Sequence, residues 1–260
     1  MRFYLYFLFF ITPLLAEVIH SPTIETLIEK SEKPFWLVVD IDNTVFEGKE
    51  AYGHCHWFDD RYAQEIANGA TKEEAIGKLD GLWIESQKIN TVQPVEDKFI
   101  AWIDQLQKEN ITVLGLTARQ PKLSSSTYRQ LDMIGVDLSK TAPKGTFKTP
   151  FNQDVMYENG ILFINDFNEK GPILLAFLEE NGYQPETILF VDDKLHNVQS
   201  VEKTLEEKGI TVVGLFYKAL LEREPVYNPT IAKFQQEKLH KLLSNDEALL
   251  LLHHQPDIHQ

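Results

Sequence analysis

The sequence has a single cysteine, Cys55, and far fewer basic than acidic side chains. One cysteine cannot form an intramolecular disulfide or a thiolate metal cluster. Lysine and arginine together number 25 against 39 aspartates and glutamates, so the formal net charge is −14. An acidic excess of this size opposes nonspecific binding to nucleic acid and to anionic membranes. The composition therefore predicts no nucleic-acid partner.

Internal repeats and low-complexity linkers are also missing from the sequence. An apolar run at residues 3–15 is shorter than the roughly 20 residues that a membrane-spanning helix needs. It follows Met1 and Arg2 and ends at Ala16, which is the layout of a cleavable signal peptide. We expect residues 1–16 to direct export to a bacterial periplasm or to the medium, with no stable membrane insertion after cleavage. An uncleaved anchor is the alternative.

Two carboxylates follow the apolar run at residues 35–39, in the segment Asp40-Ile-Asp42-Asn-Thr. Side chains two residues apart at a strand end point the same way, so Asp40 and Asp42 share one small volume. Oxygen ligands without histidine or cysteine favour Mg²⁺, which keeps several waters and accepts substrate phosphate. The segment predicts a magnesium site and a small phosphorylated substrate. The alternative is an Asx turn, in which these side chains cap backbone amides.

A second apolar run, residues 111–116, ends at Thr117 and is followed by a helical pattern from about Lys122 to Ile134. The Thr117 hydroxyl and the outward backbone amides of this turn, including that of Ala118, can hold phosphoryl oxygens. The alternative is that Thr117 only caps a helix.

A third apolar run ends in Asp192 and Asp193, with Asn197 shortly after them. Lys170, 22 residues before Asp192, opens an amphipathic stretch. A cation at a helix start is unfavourable unless an anion lies nearby, so Lys170 is a candidate for contact with an anion. The alternative is an ordinary exposed lysine. Asp193 is predicted to be a solvated or supporting acid. Three other lysines compete for the role of Lys170: Lys140, Lys144 and Lys148.

The segment at residues 157–164 carries an Asn-Gly turn signal before an apolar run, which predicts a hairpin leading towards Lys170. In open α/β sheets ligands bind beyond the carboxyl ends of the strands. The motifs follow one another along the chain as Asp-x-Asp-x-Thr, then Thr, then Lys, then Asp-Asp. In this order they resemble the haloacid dehalogenase-like hydrolase superfamily, over about residues 35–217.

The resemblance implies an α/β fold: a three-layer, Rossmann-like parallel-sheet core with a small helical cap inserted after the first strand. We expect the core at residues 17–45 and 91–260 and the cap at residues 46–90. Apolar residues recur at helical spacing in two stretches of the cap segment.

The resemblance also implies roles for the acids. Asp40 would be the nucleophile that forms an aspartyl-phosphate, and Asp42 the general acid and base. The metal would be held by the Asp40 carboxylate, the Asp42 backbone carbonyl and Asp192. The presence of Asp42 favours phosphate chemistry over halide chemistry, because dehalogenase members of the superfamily lack this acid.

Thr117 and Ala118 would bind the phosphoryl group, and Lys170 would neutralise it together with the nucleophile. The implied function is an exported, Mg²⁺-dependent phosphomonoester hydrolase. A phosphotransferase is one alternative, and a catalytically quiet binding protein with the same fold is another. The oligomeric state is left open.

The predicted cap contains His54-Cys-His56-Trp57-Phe58, which gives no complete tetrahedral ligand set. We interpret His54, His56 and Trp57 as candidate substrate contacts, with Trp57 also packing inside the cap. Asp193 and Asn197 are further candidates for contact with substrate. Residues 233–252 predict one amphipathic helix packed on the core.

Overall fold

The computed structural model describes residues 18–151, 154–221, 223, 227–238 and 243–253. The predicted signal segment at residues 1–16 lies outside them. The strands are β1 (Ile19–Ser21), β2 (Trp36–Val39), β3 (Phe46–Gly48), β4 (Val92–Pro94), β5 (Val113–Thr117), β6 (Met156–Glu158), β7 (Ile161–Phe163), β8 (Thr187–Asp192) and β9 (Thr211–Tyr217).

The helices are α1 (Glu25–Glu29), α2 (Cys55–Ala67), α3 (Lys72–Ile89), α4 (Asp97–Lys108), α5 (Ser124–Met133), α6 (Lys170–Asn181), α7 (Leu195–Glu206), α8 (Pro229–Glu237) and α9 (Asn245–His253). None of these helices is both long enough and apolar enough to cross a bilayer.

Seven strands form one sheet in the order β1-β9-β8-β2-β5-β7-β6. Every pair is parallel except β6 with β7. Successive side chains of a strand point to opposite faces. Accordingly, Leu37 and Val39 pack on the same face as α4, whereas Val38 packs with α6 and α7. This sheet with helices on both faces confirms the predicted α/β class.

The strand β1 was not anticipated. It adds a parallel edge beside β9, with His20 opposite Phe216. The strand that leads to Asp40 is therefore the second strand of the described chain, and the helical insertion follows the second strand instead of the first. The predicted hairpin is present as β6 and β7, and its turn places Asn159 at φ 47° and Gly160 at φ 79°.

In sequence, the helices α2 and α3 separate β1 and β2 from the rest of the sheet. The strand β3 precedes them, β4 follows them, and these two strands form an antiparallel pair. Thr71 and Glu74 form a reciprocal capping box at the start of α3. These helices confirm the periodic patterns seen in this segment. The boundaries at residues 46 and 90 stay a prediction.

The prediction of one helix at residues 233–252 was wrong, because this segment contains the end of α8 and a separate α9. Ser244 explains the new start: its hydroxyl accepts from the Glu247 amide at 3.2 Å, and the Glu247 carboxylate accepts from the Ser244 amide at 2.9 Å. Helix α8 also packs on the predicted cap, where Ala232 joins a buried cluster with Tyr52 and Trp57.

Candidate active site

The acids of the first and third segments meet because their strands are neighbours. Val39 of β2 lies opposite Val191 of β8, so Asp40 and Asp192 follow at the same edge of the sheet. The Asp40 amide donates to the Val191 carbonyl at 2.9 Å, which continues the ladder by one residue. Both side chains are buried, at 5 % and 0 % exposure.

Lys170 bridges these two acids from the first position of α6. Its ammonium lies 2.5 Å from Asp40 Oδ1 and 2.6 Å from Asp192 Oδ2. The side chain is 1 % exposed, whereas the competing lysines Lys140, Lys144 and Lys148 are exposed. A buried ammonium requires such compensation, since an unpaired charge in the interior is costly. Burial lowers the pKa of Lys170, but the two carboxylates outweigh it and the net shift is upward.

Asp193 lies closer to this group than the sequence suggested. Oxygens of Asp40, Asp192 and Asp193 lie within 4.8 Å of one another, a spacing at which they could hold a metal ion. All three ligands are carboxylate oxygens, which suits a hard cation such as Mg²⁺. Asn43 supports Asp193 by donating from Nδ2 to Oδ2 at 3.3 Å, and its own backbone is left-handed at φ 59°.

The electrostatics of the site reflect a surplus of acid. Burial raises the pKa of Asp40 to about 7; Lys170 opposes this rise, and the charge of Asp192 adds to it. Burial also raises the pKa of Asp193 well above its ordinary value, and Asp192 and Asp40 raise it further. The ammonium groups of Lys170 and Lys194 oppose the rise at Asp193 but do not cancel it, and a bound cation would relieve the remaining repulsion.

Asn197 contacts Asp192, although the sequence suggested a contact with substrate. Its Nδ2 donates to both carboxylate oxygens, at 3.0 and 3.1 Å, and the Lys194 amide donates to Oδ1 at 2.8 Å. These donors fix the Asp192 carboxylate beside Lys170. Asn197 also lines the chamber described below, so it lies within reach of a ligand.

Thr117 ends β5, and Ala118 follows it at the same edge of the sheet. The Thr117 hydroxyl accepts from the Arg119 amide at 3.2 Å, and α5 begins only at Ser124. Thr117 is therefore not the cap of that helix, which was the alternative reading. Both Thr117 and Ala118 line the chamber over Asp40.

Asp42 forms a pair with Arg119, a residue that sequence reasoning missed. Arg119 Nε donates to Asp42 Oδ2 at 2.6 Å, and Nη2 donates to Oδ1 at 2.8 Å. Burial opposes the ionisation of Asp42, but the charge and hydrogen bonds of Arg119 outweigh it, and the pKa of Asp42 is lowered. The usable signal was an arginine two residues after Thr117, on a turn that faces several acids.

The Asx-turn alternative for the first motif does not describe these carboxylates. Among the described residues, the hydrogen bonds that reach Asp40 come from Lys170 and from the Thr44 hydroxyl, the latter at 3.3 Å. Those that reach Asp42 come from Arg119. The two acids therefore bind side chains and do not cap backbone amides.

A chamber of about 110 Å³ lies over Asp40 and opens beside a groove of about 600 Å³. The helix α2 contributes Phe58 and Asp59 to both cavities, and Lys170 lies at their common wall. The groove is further lined by aromatic, apolar and basic side chains: Tyr62, Lys72, Ile76, Phe167 and His196.

The structure does not place the predicted contacts His54, His56 and Trp57 against this chamber or groove. Trp57 is 2 % exposed and packs edge-on against Tyr52, with ring centres 4.9 Å apart. It therefore faces the interior of the cap segment. Helix periodicity explains the error, because Trp57 and Phe58 are adjacent in sequence but point about 100° apart around α2.

His54 is a buried helix cap. Its Nδ1 accepts from the His56 amide at 3.1 Å, and its buried Nε2 has no hydrogen-bond partner among the described residues. The side chain is 1 % exposed. Burial, together with the nearby His56, lowers the pKa of His54 to about 4, so the imidazole is neutral at physiological pH.

Comparison with known proteins identifies relatives over nearly the whole chain. A "Putative outer membrane protein" of Chlamydia pneumoniae is 36% identical over 86% of this chain and 84% of its own length. A protein of the same name from Chlamydia trachomatis serovar D is 29% identical over 95% of this chain and 96% of its own length.

Among solved structures, the class C acid phosphatase from Bacillus anthracis with tungstate bound is 14% identical, with a TM-score of 0.37. The match covers 83% of this chain and 81% of that chain. The family described as "Protein of unknown function (DUF2608)" matches residues 17–249. The chain therefore belongs to the DUF2608 family.

Proposed function

We propose that the protein is a Mg²⁺-dependent phosphomonoester hydrolase of the haloacid dehalogenase-like type, acting through an aspartyl-phosphate on Asp40. The observation that carries this proposal is the buried bridge from Lys170 to Asp40 and Asp192, at the ends of neighbouring strands. A carboxyl group that contacts an ammonium, in a chamber open to a ligand, suits nucleophilic attack on phosphorus. Thr117 at the end of β5 supplies a hydroxyl to the same chamber.

In the first step, an Asp40 oxygen attacks phosphorus while the bond to the ester oxygen breaks. Asp42, which also lines the chamber, gives a proton to the departing oxygen; because Arg119 lowers the pKa of Asp42, this step proceeds from the minor, protonated form of that carboxyl. In the second step a water attacks the phosphorus of the aspartyl-phosphate, and Asp42 takes the proton of that water. Asp40 leaves as a carboxylate and inorganic phosphate is released.

Lys170 and Thr117 serve the charge that builds up on the phosphoryl oxygens. Lys170 is held by two carboxylates, so it is already in place before the substrate binds. The carboxylates of Asp40, Asp192 and Asp193, together with the Asp42 backbone carbonyl, would hold the Mg²⁺ ion, which when bound supplies positive charge to the phosphoryl group.

The location is proposed to be outside the cytoplasm. The layout of residues 1–16 supports export, and so does the outer-membrane name of two relatives. Mass spectrometry of the native protein tests this: a mature chain that begins near Glu17 is expected. A retained Met1 in the membrane fraction would favour an anchor.

The decisive experiment measures hydrolysis of p-nitrophenyl phosphate by the purified mature protein. Activity is expected with Mg²⁺ and should be lost with a chelator, and Asp40→Asn should lose it even with Mg²⁺. Asp132→Asn, which changes an exposed acid on α5, is the matched control and should keep full activity. Activity that survives chelation or Asp40→Asn would exclude the proposed mechanism.

The same assay separates hydrolysis from phosphoryl transfer. A transferase would form a new phosphate ester when an alcohol acceptor is added, so the release of phosphate would fall below the release of p-nitrophenol. For a hydrolase we expect equal amounts of both products with and without the alcohol.

A further inference from the structure

Arg119 is almost completely buried, and every hydrogen on its guanidinium group is engaged. A guanidinium has five N–H donors. Two of them reach Asp42, at 2.6 and 2.8 Å. The side chain is 2 % exposed, and its charge lies 5.2 Å from the centre of the Phe46 ring.

The other three donors of Arg119 join it to two helices. Nη1 donates to Thr127 Oγ1 at 3.0 Å and to Gln130 Oε1 at 2.6 Å, both on α5. Nη2 donates to Gln87 Oε1 at 3.0 Å, on α3. None of the five donors is left for a phosphoryl oxygen, so Arg119 is not placed as a ligand of the substrate phosphate.

Gln87 links this network to the helical insertion. Its Oε1 accepts from Gln130 Nε2 at 3.0 Å as well as from Arg119, and its Nε2 donates to the Gly53 carbonyl at 2.8 Å. The amide is therefore held at both ends, and it is 2 % exposed. A shift of α3 would displace the acceptor that fixes one side of the guanidinium.

We propose that Arg119 is the positioning residue of Asp42. Through Gln87, the orientation of the Asp42 carboxylate then depends on the position of α3 against the core. This inference rests on the proposed function, in which Asp42 transfers the proton. The bidentate pair fixes both the direction and the plane of the carboxylate, which a lysine at the same place could not do. A misplacement of about 1 Å in such a group can cost a hundredfold in rate.

The test compares two substrates that differ in their need for a proton. The p-nitrophenolate of the aryl ester leaves without a proton, whereas the alkoxide oxygen of an alkyl phosphate such as glycerol 2-phosphate has to be protonated as it leaves. We expect Arg119→Lys to lower kcat for the alkyl ester by roughly tenfold to a hundredfold, part of the ~10²–10⁴ that general acid–base catalysis contributes. The aryl ester should lose much less.

A double-mutant cycle assigns this effect to Asp42. Asp42→Asn should lower the alkyl-to-aryl ratio on its own, and Arg119→Lys should add little to that ratio in the Asp42→Asn background. Gln87→Met removes one acceptor from Arg119 without touching Asp42, and it should shift the ratio in the same direction but by less. It also serves if Arg119→Lys does not fold.

Arg61→Lys is the matched control, because it makes the same change on α2, where Arg61 donates to Gln64 of its own helix and not to Asp42. It should leave the ratio unchanged. Equal losses on both esters in Arg119→Lys, or an equal shift in Arg61→Lys, would reduce Arg119 to a structural role and overturn the inference.

Inhibition by inorganic phosphate separates a third role. If Arg119→Lys weakens phosphate inhibition and raises KM while kcat is kept, Arg119 binds phosphate and does not position Asp42. If the wild-type protein hydrolyses neither ester, the proposed function fails before any variant is compared, and this inference falls with it. Active wild-type protein with an unchanged ratio in the variants overturns this inference alone.

Discussion

The charged end of the sheet and the helical insertion are held together in different ways. At the sheet, Asp40, Lys170 and Asp192 stand at the ends of regular elements and satisfy one another by side-chain contacts. In the insertion, the loop before α2 depends on side chains from the far end of the chain. The Tyr52 amide donates to Gln235 Oε1 at 2.9 Å, and the Ala51 amide donates to Asn245 Oδ1 at 3.0 Å.

The difference bears on what each region can tolerate. A residue at a strand end is placed by the backbone ladder, so its position survives changes elsewhere on the surface. A loop held by distant side chains moves when any of those side chains is lost. The acids and the lysine at the sheet end are thus placed by strands and a helix start, whereas the loop before α2 is held by side chains of the C-terminal helices α8 and α9.

The largest expected effect tests the sheet end. Lys170→Met leaves two buried carboxylates without their ammonium, so we expect loss of p-nitrophenyl phosphate hydrolysis. The free energy of unfolding in chelator should fall by about 3–5 kcal/mol, as when one partner of a buried ion pair is removed. Added Mg²⁺ should restore part of that stability, because it replaces the missing positive charge.

Urea unfolding with and without Mg²⁺ measures this effect. Lys140→Met is the matched control: Lys140 is an exposed lysine that does not line the chamber, so its loss should cost less than about 1 kcal/mol. Equal losses in the two variants would mean that Lys170 is not the compensating charge of the site.

The same contrast explains what the sequence could predict. An apolar run that ends in acids predicts both a buried strand and the edge at which its carboxylates lie. The unfavourable placement of a cation at a helix start made Lys170 a candidate, and its place in the order of motifs, 22 residues before Asp192, favoured it over the other lysines. The α/β class and the hairpin before α6 follow from the same signals.

Arg119, Trp57 and the strand β1 are features that the local sequence pattern did not predict. The pair between Asp42 and Arg119 joins residues 77 positions apart, and nothing in either segment specifies the other. Trp57 and Phe58 are both aromatic, and which one faces inward depends on packing against other segments of the chain, including α3 and α8. The edge strand β1 has a burial pattern of three residues, too short for a reliable period.

A second prediction concerns the dependence of stability on pH. It tests whether folding keeps the imidazole of His54, at the start of the insertion's first helix, neutral. His54 has a pKa of about 4 when folded against 6.5 when unfolded. Between these values the unfolded chain binds a proton that the folded chain does not. Stability from this group is therefore complete above pH 6.5 and is lost as the pH falls towards 4, by about 3 kcal/mol in all.

His54→Asn keeps a side chain that can cap α2 and removes the titration. Urea unfolding at pH 7 and pH 4.5 should show a smaller drop for this variant than for the wild type. His20→Gln, on the exposed face of β1, should drop like the wild type. Parallel losses in wild type and His54→Asn would show that the imidazole is not kept neutral by the fold.

A third prediction tests whether the C-terminal helices α8 and α9 stabilise the loop before α2. Gln235→Leu removes the acceptor of the Tyr52 amide and leaves a buried N–H unpaired, which costs about 1–3 kcal/mol. Because Gln235 contacts no residue of the proposed chemistry, kcat for p-nitrophenyl phosphate, whose leaving group needs no proton from Asp42, should stay within about twofold. Gln236→Leu, the half-buried next residue, should be close to neutral in both measurements. A large loss of kcat in Gln235→Leu would contradict the separation of the two regions.

The smallest expected effect distinguishes two neighbours on α2 and decides which of them meets the substrate. Phe58 is half-buried, lines both cavities and packs edge-on against Trp83 at 5.3 Å. Phe58→Leu should raise KM for an aryl phosphate a few-fold, in line with the ~0.5–1.5 kcal/mol of an aromatic contact, and leave kcat unchanged.

His56→Asn is the matched comparison, since His56 is half-buried on the same helix but lines neither cavity. Its KM should stay at the wild-type value. Steady-state kinetics on p-nitrophenyl phosphate measures both variants under one set of conditions. If His56→Asn raises KM as much as Phe58→Leu does, the histidines reach the substrate, as the sequence first suggested. In that case α2 would have to rotate when the ligand binds, so that His56 comes to line the chamber over Asp40.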